Sequence, residues 1–262
     1  MSSDSTSKTL SVALGLCVVC SVLVSTAAVK LKPIQDENKR LDVQKNLLLS
    51  TGLLKSASAS KKEIEETYSR SVETKMVDLK TGNLSEKDPT TFELGTTDKD
   101  PAAALSIPSV DDIAAIKTRA KVRPVYIIKE GGVVSQIVLP IHGKGLWSTM
   151  YGFLALAPDT RTVKGIGFYS HGETPGLGGE IENARWQSQW KGKHVLSEDD
   201  FEPVFRVIKG SVDSSTPRAD TKVDGLSGAT LTSKGVQSTV NYWVGQAGYG
   251  KFLANLRNGG VL

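Results

Sequence analysis

Between Leu10 and Val29 the chain carries no charged residue. A helix needs about 20 residues to cross the apolar core of a bilayer, and this run has that length. In lipid a helix satisfies its own backbone polar groups, so the run is physically able to span a membrane. A signal peptide is the competing reading, with Ser25-Thr26-Ala27 as a small-x-small cleavage site. Signal peptides have a shorter apolar region and a more basic start. Here Lys8 and the α-amine face only Asp4, and the length of the run favours a retained anchor. Lys30, Lys32, Lys39, Arg40 and Lys45 follow the run, whereas only Lys8 precedes it. That bias alone would place the remaining chain in the cytoplasm.

Cys17 and Cys20 both lie inside the apolar run. Their C-x-x-C spacing suggests redox chemistry, but Leu, Val, Ala and Ser around them give a thiolate no support, and the pair reads as small packing residues. The rest of the 262-residue chain has no cysteine, which argues against a disulfide framework or a cysteine-held metal there. The net charge is +4, with no dense basic run interleaved with aromatics, so nucleic acid is not an expected partner. His142, His171 and His194 have no metal-ligand spacing, and no catalytic triad, P-loop or paired-carboxylate signature stands out.

Periodicity predicts an α+β fold, with flanking helices on a largely antiparallel sheet after the membrane helix. Residues 1–9 read as a tail, 10–29 as the transmembrane helix, 30–123 as a helical stalk with an irregular region, and 124–262 as the main domain. The helical pattern of Lys30–Leu49 stops at Gly52. Ile64, Tyr68, Val72 and Met76 are four apart and predict a second amphipathic helix over Lys61–Val77. Asp78–Pro108 is rich in Thr, Asp, Gly and Pro and reads as irregular, with a short helix expected over Asp111–Arg119. Hairpins are expected from Val125–Ile128 with Val133–Ile141, and from Tyr151–Ala157 with Val163–Tyr169. A helix over Ile181–Trp190, a strand over Val204–Ile208, and helices over Ser233–Val244 and Tyr249–Arg257 complete the pattern.

The most informative stretch is Asp224-Gly225-Leu226-Ser227-Gly228-Ala229-Thr230-Leu231-Thr232. Asp-Gly and Ser-Gly form turns, and the glycines let a bulky group approach the main chain. Thr230 would then sit just before a helix beginning near Thr232 or Ser233, whose N-terminus suits a phosphate. A simple turn into a capped helix explains the turn residues but not the full motif. Lys209 before Gly210 could neutralise a phosphate, although a surface lysine is the plainer reading.

This stretch resembles the D-G-x-S/T-G-A-T flavinylation motif of the FMN-binding domain family. Average residue usage gives a chance match to its six fixed positions in about one chain in ten thousand or fewer. Lys8–Leu53, Gly145-Leu146-Trp147-Ser148 and His171-Gly172-Glu173-Thr174-Pro175-Gly176-Leu177-Gly178 also resemble the C-type subunit of the Na+-translocating NADH:quinone oxidoreductases. Nothing specific is recognised between Lys55 and Pro108. The G-type subunit of the complex that couples ferredoxin and NAD shares the motif, but the anchor and its helical continuation favour the quinone-reductase family.

The resemblance implies FMN held through a phosphoester to Thr230, placed there from FAD by a Mg-dependent flavin transferase. It implies that Asp224, Ser227, Gly228 and Ala229 shape the acceptor turn, with Thr232 and Ser233 as helix caps. Glu173, Thr174, Gly176, Leu177 and Gly178 would form a tight loop against the flavin ring, with a surface turn between strand and helix as the plainer alternative; His171 would be nearby, and Trp147 would either stack on the ring or belong to the core. It further implies a bacterial inner-membrane protein with a periplasmic flavin domain, against the charge count. Its partners would be other redox subunits and membrane lipid, and electrons from NADH would pass toward ubiquinone as Na+ is exported. A cofactor-free assembly module is the reading from a different class.

Overall fold

Strands with side chains buried on both faces build the sheet around which the second of two compact units, from Gln44 onward, is organised. A computed structural model describes residues 5–260. Its helices are α1 (Thr6–Thr51), α2 (Lys61–Ser71), α3 (Ala184–Ser188), α4 (Thr230–Val244) and α5 (Gly250–Arg257). Its strands are β1 (Val72–Asp78), β2 (Leu84–Ser85), β3 (Ala104–Ser106), β4 (Thr118–Ala120), β5 (Val122–Glu130) and β6 (Val133–Lys144). They continue with β7 (Thr149–Leu156), β8 (Val163–Ser170), β9 (Arg206–Val207) and β10 (Lys222–Val223).

The first unit ends at Val43 and holds the apolar part of α1, a helix long and apolar enough to cross a membrane. Leu10, Leu14, Leu16 and Leu23 are all exposed there, as lipid-facing side chains would be. Pro33 lies inside α1 just past the apolar run. Proline has no N–H, so it removes one helical hydrogen bond at that point.

In the second unit six strands run in the order β2-β1-β5-β6-β7-β8, every neighbouring pair antiparallel. The mixed fold with a largely antiparallel sheet is therefore as expected. Ile127, Leu139, Leu154, Ile166 and Phe168 join one core with Val236, Val240 and Trp243 of α4. Consecutive strand residues point to opposite faces, so Ile128, Val138, Phe153 and Ala155, also buried, line the other face. There α2 lies against β1 and β5, and the buried end of α1 approaches β8. A methyl group on Gly165 would collide with the Ser50 carbonyl, so β8 carries glycine where this helix end comes closest. Gln136 Nε2 also donates to the Thr51 carbonyl at 3.0 Å.

Both predicted hairpins form, as β5–β6 and β7–β8. Four other expectations change. The predicted helix over Lys61–Val77 is helical only to Ser71, and Val72–Asp78 is strand β1. A spacing of four satisfies both the helical period and the strand period of two, so the stripe could not distinguish them. Asp111–Arg119 forms turns ending in β4 instead of a helix. Asp112 accepts N–H bonds from Ile116 and Lys117, and Ala115 and Lys117 take positive φ. Ile181–Trp190 divides into a 3-10 turn and α3 at Asn183, whose side chain caps Arg185. The expected strand over Val204–Ile208 shrinks to β9, paired in parallel with β10.

The Asp78–Pro108 excursion is fastened by a buried ion pair. Arg123 on β5 pairs with Asp98, and both side chains are essentially inaccessible. Arg123 also donates to Tyr249 Oη at 3.3 Å and to the Pro140 carbonyl at 3.3 Å, and its guanidinium sits 4.1 Å from the Trp243 ring centroid. Asp98 further accepts the Ala120 N–H at 2.9 Å. Burial opposes the Asp98 charge, but Arg123 and these hydrogen bonds outweigh it and hold its carboxyl below the usual carboxylate value. Such a group stabilises the fold fully above its unfolded value near 3.8 and loses that contribution as pH falls toward its folded value of about 2. Asp98→Ala would leave a buried guanidinium unpaired, a loss of about 3–5 kcal/mol. Urea unfolding at neutral pH should show that drop in midpoint, and the gap between wild type and variant should narrow as pH falls below 4 toward 2.

Candidate functional site

The Asp224–Thr232 motif enters α4 through a turn fixed at both ends. Asp224 accepts the Val212 N–H at 2.7 Å and the Gln189 side-chain amide at 3.1 Å. Its carbonyl accepts the Trp186 indole N–H at 2.9 Å. Asp224 thus ties the motif to α3 and to the preceding loop. Gly228 takes φ +70°, a conformation that favours glycine, just before the helix. The residue preceding α4 is Ala229, and no side chain caps the first turn. The leading N–H groups of a helix have no partner within it and carry partial positive charge. Thr230 is the first helical residue and is exposed, as are Ser227 and Gly228.

Thr232 and Ser233 do not cap the helix as expected. Both lie within its first turn and are buried. Ser233 Oγ accepts the Leu226 N–H at 3.1 Å and so closes the motif on itself. The Thr232 hydroxyl donates to Glu173 Oε2 at 2.5 Å. That difference separates two threonines only two residues apart, because Thr230 offers its hydroxyl to solvent while Thr232 spends its own on a buried carboxylate.

Glu173 is the centre of the arrangement. Its side chain is buried and accepts backbone N–H bonds from Leu146 (3.1 Å), Trp147 (2.9 Å) and Ser148 (3.4 Å), besides the Thr232 hydroxyl. Burial opposes its charge, yet the Thr232 hydroxyl and the three N–H donors prevail and lower its pKa below the usual glutamate value. A Cβ on Gly178 would lie 2.5 Å from Thr232 Oγ1 and 3.0 Å from Glu173 Oε2. A Cβ on Gly145 would lie 2.5 Å from Glu173 Oε1. Only glycine fits either position while the carboxylate stays in place. One carboxylate therefore joins the β6–β7 turn, the loop after β8 and the start of α4.

Around this support stand exposed Leu146, Trp147, Thr174, Gly176, Leu177 and Leu231. Trp147 is 65% exposed, so it is no core aromatic. Leu177 reaches toward Gly228, where an added Cβ would come within 2.9 Å of its Cδ2. Glu173 and Gly178 were expected against a ligand, but both are buried beneath the loops they hold. His171 Nδ1 accepts the Glu173 N–H at 3.1 Å, and its Nε2 faces Glu182 Oε1 at 2.9 Å. His142 is elsewhere, buried against Tyr151 and Trp243, and burial with the nearby Arg123 charge lowers its pKa to about 3. His194 faces Asp220. Sequence reasoning missed Leu146, Ser148 and Leu231, and it missed that Glu173 acts from below the surface. A lone carboxylate inside a Gly- and Pro-rich turn was the available signal.

Known proteins resemble the chain along nearly its whole length. The FMN-binding domain family matches residues 145–245. The chain is 44% identical over 259 residues to the C subunit of the Na(+)-translocating NADH-quinone reductase of Yersinia pestis, covering 98% of this chain and 96% of that one. It is 46% identical over 257 residues to the same subunit of Pseudomonas aeruginosa, covering 98% of each. The crystal structure of Shewanella oneidensis NqrC superposes with a TM-score of 0.76 at 32% identity, covering 85% of this chain and 99% of that one.

The hydrogen-bond pattern predicts different costs for the two threonines. Thr232→Val removes a donor from a buried carboxylate and should cost about 1.5–3 kcal/mol. Thr230→Val alters an exposed position and should stay within about 0.5 kcal/mol of wild type. Urea midpoints of the two variants without flavin measure both.

Proposed function

Since the chain belongs to the C-subunit (NqrC) family of the Na(+)-translocating NADH-quinone reductases, an oxidoreductase complex, we propose that it relays electrons through an FMN esterified to Thr230. The relay lies on the path from NADH to ubiquinone that the complex couples to Na+ export. The observation that carries the covalent reading is the exposed Thr230 hydroxyl at an uncapped helix N-terminus, within a match to the flavinylation motif.

The residues present fit the group. The first-turn N–H groups of α4 suit a phosphate diester. Leu146, Trp147, Leu177 and Leu231 offer exposed apolar surface for a flat ring. Thr174 and the backbone of Gly176 can meet its polar edge. Bound FMN supplies reversible electron transfer through its ring, and the protein sets its position and electrostatics. In maturation a flavin transferase would bring FAD, and the Thr230 hydroxyl would give up its proton and form the phosphoester to the FMN phosphorus as the pyrophosphate bond breaks and AMP leaves with its phosphate. Asp224 and Ser227 hold the turn in the shape the transferase reads. Residues 10–29 fix the chain in lipid, other subunits of the complex bring and remove electrons, and 124–262 serve as the flavin domain with 30–123 as its support.

The flavin domain faces the periplasm in this proposal. Lysines and arginines after the span argue for the opposite side, but large domains translocate largely regardless of charge. A reporter fused after Leu262 should be active in the periplasm, and cytoplasmic activity alone would refute the orientation.

Thr230→Val keeps the shape and β-branching of the side chain and removes the acceptor oxygen. Made together with the transferase, it should lose in-gel flavin fluorescence after denaturing electrophoresis, the FMN mass increment and the visible absorption of the wild type. Thr232→Val should keep all three. A fluorescent Thr230→Val band of FMN-bearing mass would place the ester elsewhere.

A further inference from the structure

We infer that Glu173 is a positioning residue for the flavin: its fixed negative charge, set directly beneath the turn and loop that receive the ring, lowers the reduction potential of the bound cofactor. The inference rests on the FMN reading above and adds to it a residue that acts without contacting the cofactor.

The tether limits where the ring can go. A flavin attached by its phosphate at Thr230 extends away from the start of α4. The apolar surface beside that point comes from Leu146 and Trp147 of the β6–β7 turn, Leu177 of the loop after β8, and Leu231. Leu177 is placed next to Gly228, two residues before the tether. Glu173 supports all these segments at once. It takes the N–H groups of Leu146 and Trp147, and its Oε2 holds the hydroxyl of Thr232, two residues past the tether. The carboxylate is thus within one backbone layer of any ring lying on this surface.

Its state is also fixed. The hydrogen bonds that reach it favour the anion, so the charge persists at neutral pH. Reduction adds electron density to the flavin, and a nearby unscreened negative charge opposes it. Burial makes that effect stronger than a fully exposed carboxylate would give, because water screens the charge less. Lys144 lies on the other side of the same turn, with Nζ donating to the Trp147 carbonyl at 3.1 Å, but it is exposed and solvent screens it. Of these two charges the buried anion is the less screened. The N–H groups of Leu146 and Trp147 are committed to Glu173, so polar contacts to the ring must come from elsewhere, such as Thr174.

The test compares full-length protein in detergent, made with the flavin transferase and carrying covalent FMN, by spectroelectrochemical titration. Glu173→Gln removes the charge at nearly constant volume and should shift the midpoint potential in the positive direction. Glu173→Asp withdraws the same charge by one methylene and should give a smaller shift of the same sign; it serves where the glutamine variant does not accumulate. Thr232→Val leaves the anion in place, so it should lose stability with little change in potential, which separates the charge from the packing it organises. A flavin-loaded, folded Glu173→Gln or Glu173→Asp variant with the wild-type potential would overturn the inference. A wild-type chain without a fluorescent band on a denaturing gel would instead overturn the FMN reading beneath it.

Discussion

A buried carboxylate must find donors, and Glu173 finds them on two other segments of the chain. Three come from consecutive N–H groups of the β6–β7 turn and one from a hydroxyl in the first turn of α4. Removing a buried anion's partners costs far more than any single surface contact contributes. The three segments are thereby locked into one arrangement, which explains why glycine stands at 145 and 178. A side chain at either position would displace the carboxylate or its donor. The exposed rim of apolar side chains rests on this base.

The same logic, with opposite sign, operates at the other polar centre. Arg123 is a buried cation whose partner Asp98 comes from an excursion with little regular structure. Hydrophobic burial alone would hold the 86–121 segment weakly, since none of its large apolar side chains is fully buried and Leu105, Val110 and Ile113 are exposed. The ion pair, together with Tyr249 and the Pro140 carbonyl, gives the segment a specific seat on the sheet. Both centres use charge to set register where apolar packing cannot. One shapes the rim at which the proposed cofactor is received, and the other holds the long excursion that precedes β5.

An electron relay needs a cofactor at fixed distance and potential, and few acid–base groups. On the proposed reading the site suits that requirement. Glu173, the buried carboxylate at its base, is held as the anion by its donors. In the proposed arrangement Thr230 is the attachment point, at the start of a helix packed on the sheet, so a group tethered there would inherit the position of that sheet. Attachment by the phosphate leaves the ring free, and the proposed division of labour follows: the motif fixes the tether, and the loops above Glu173 shape what surrounds the ring.

The sequence by itself determined the apolar span, the two central hairpins, the C-terminal helices and the Gly-rich motif that leads into α4. Each of these is a local pattern, in which the residues that decide the outcome are near neighbours in the chain. The strand at Val72–Asp78 was hidden because a spacing of four serves two periods, and the Asp111–Arg119 helix failed because a side chain captured the backbone donors it needed. Only the tertiary structure decided that Thr232 is closed and Thr230 open, that Trp147 stands outside the core, and that Glu173 and Gly178 support the site from below. Those outcomes depend on contacts such as Glu173 with Thr232, 59 residues apart. No periodicity encodes such a contact, because which buried group meets which donor is settled only when the sheet brings distant turns together.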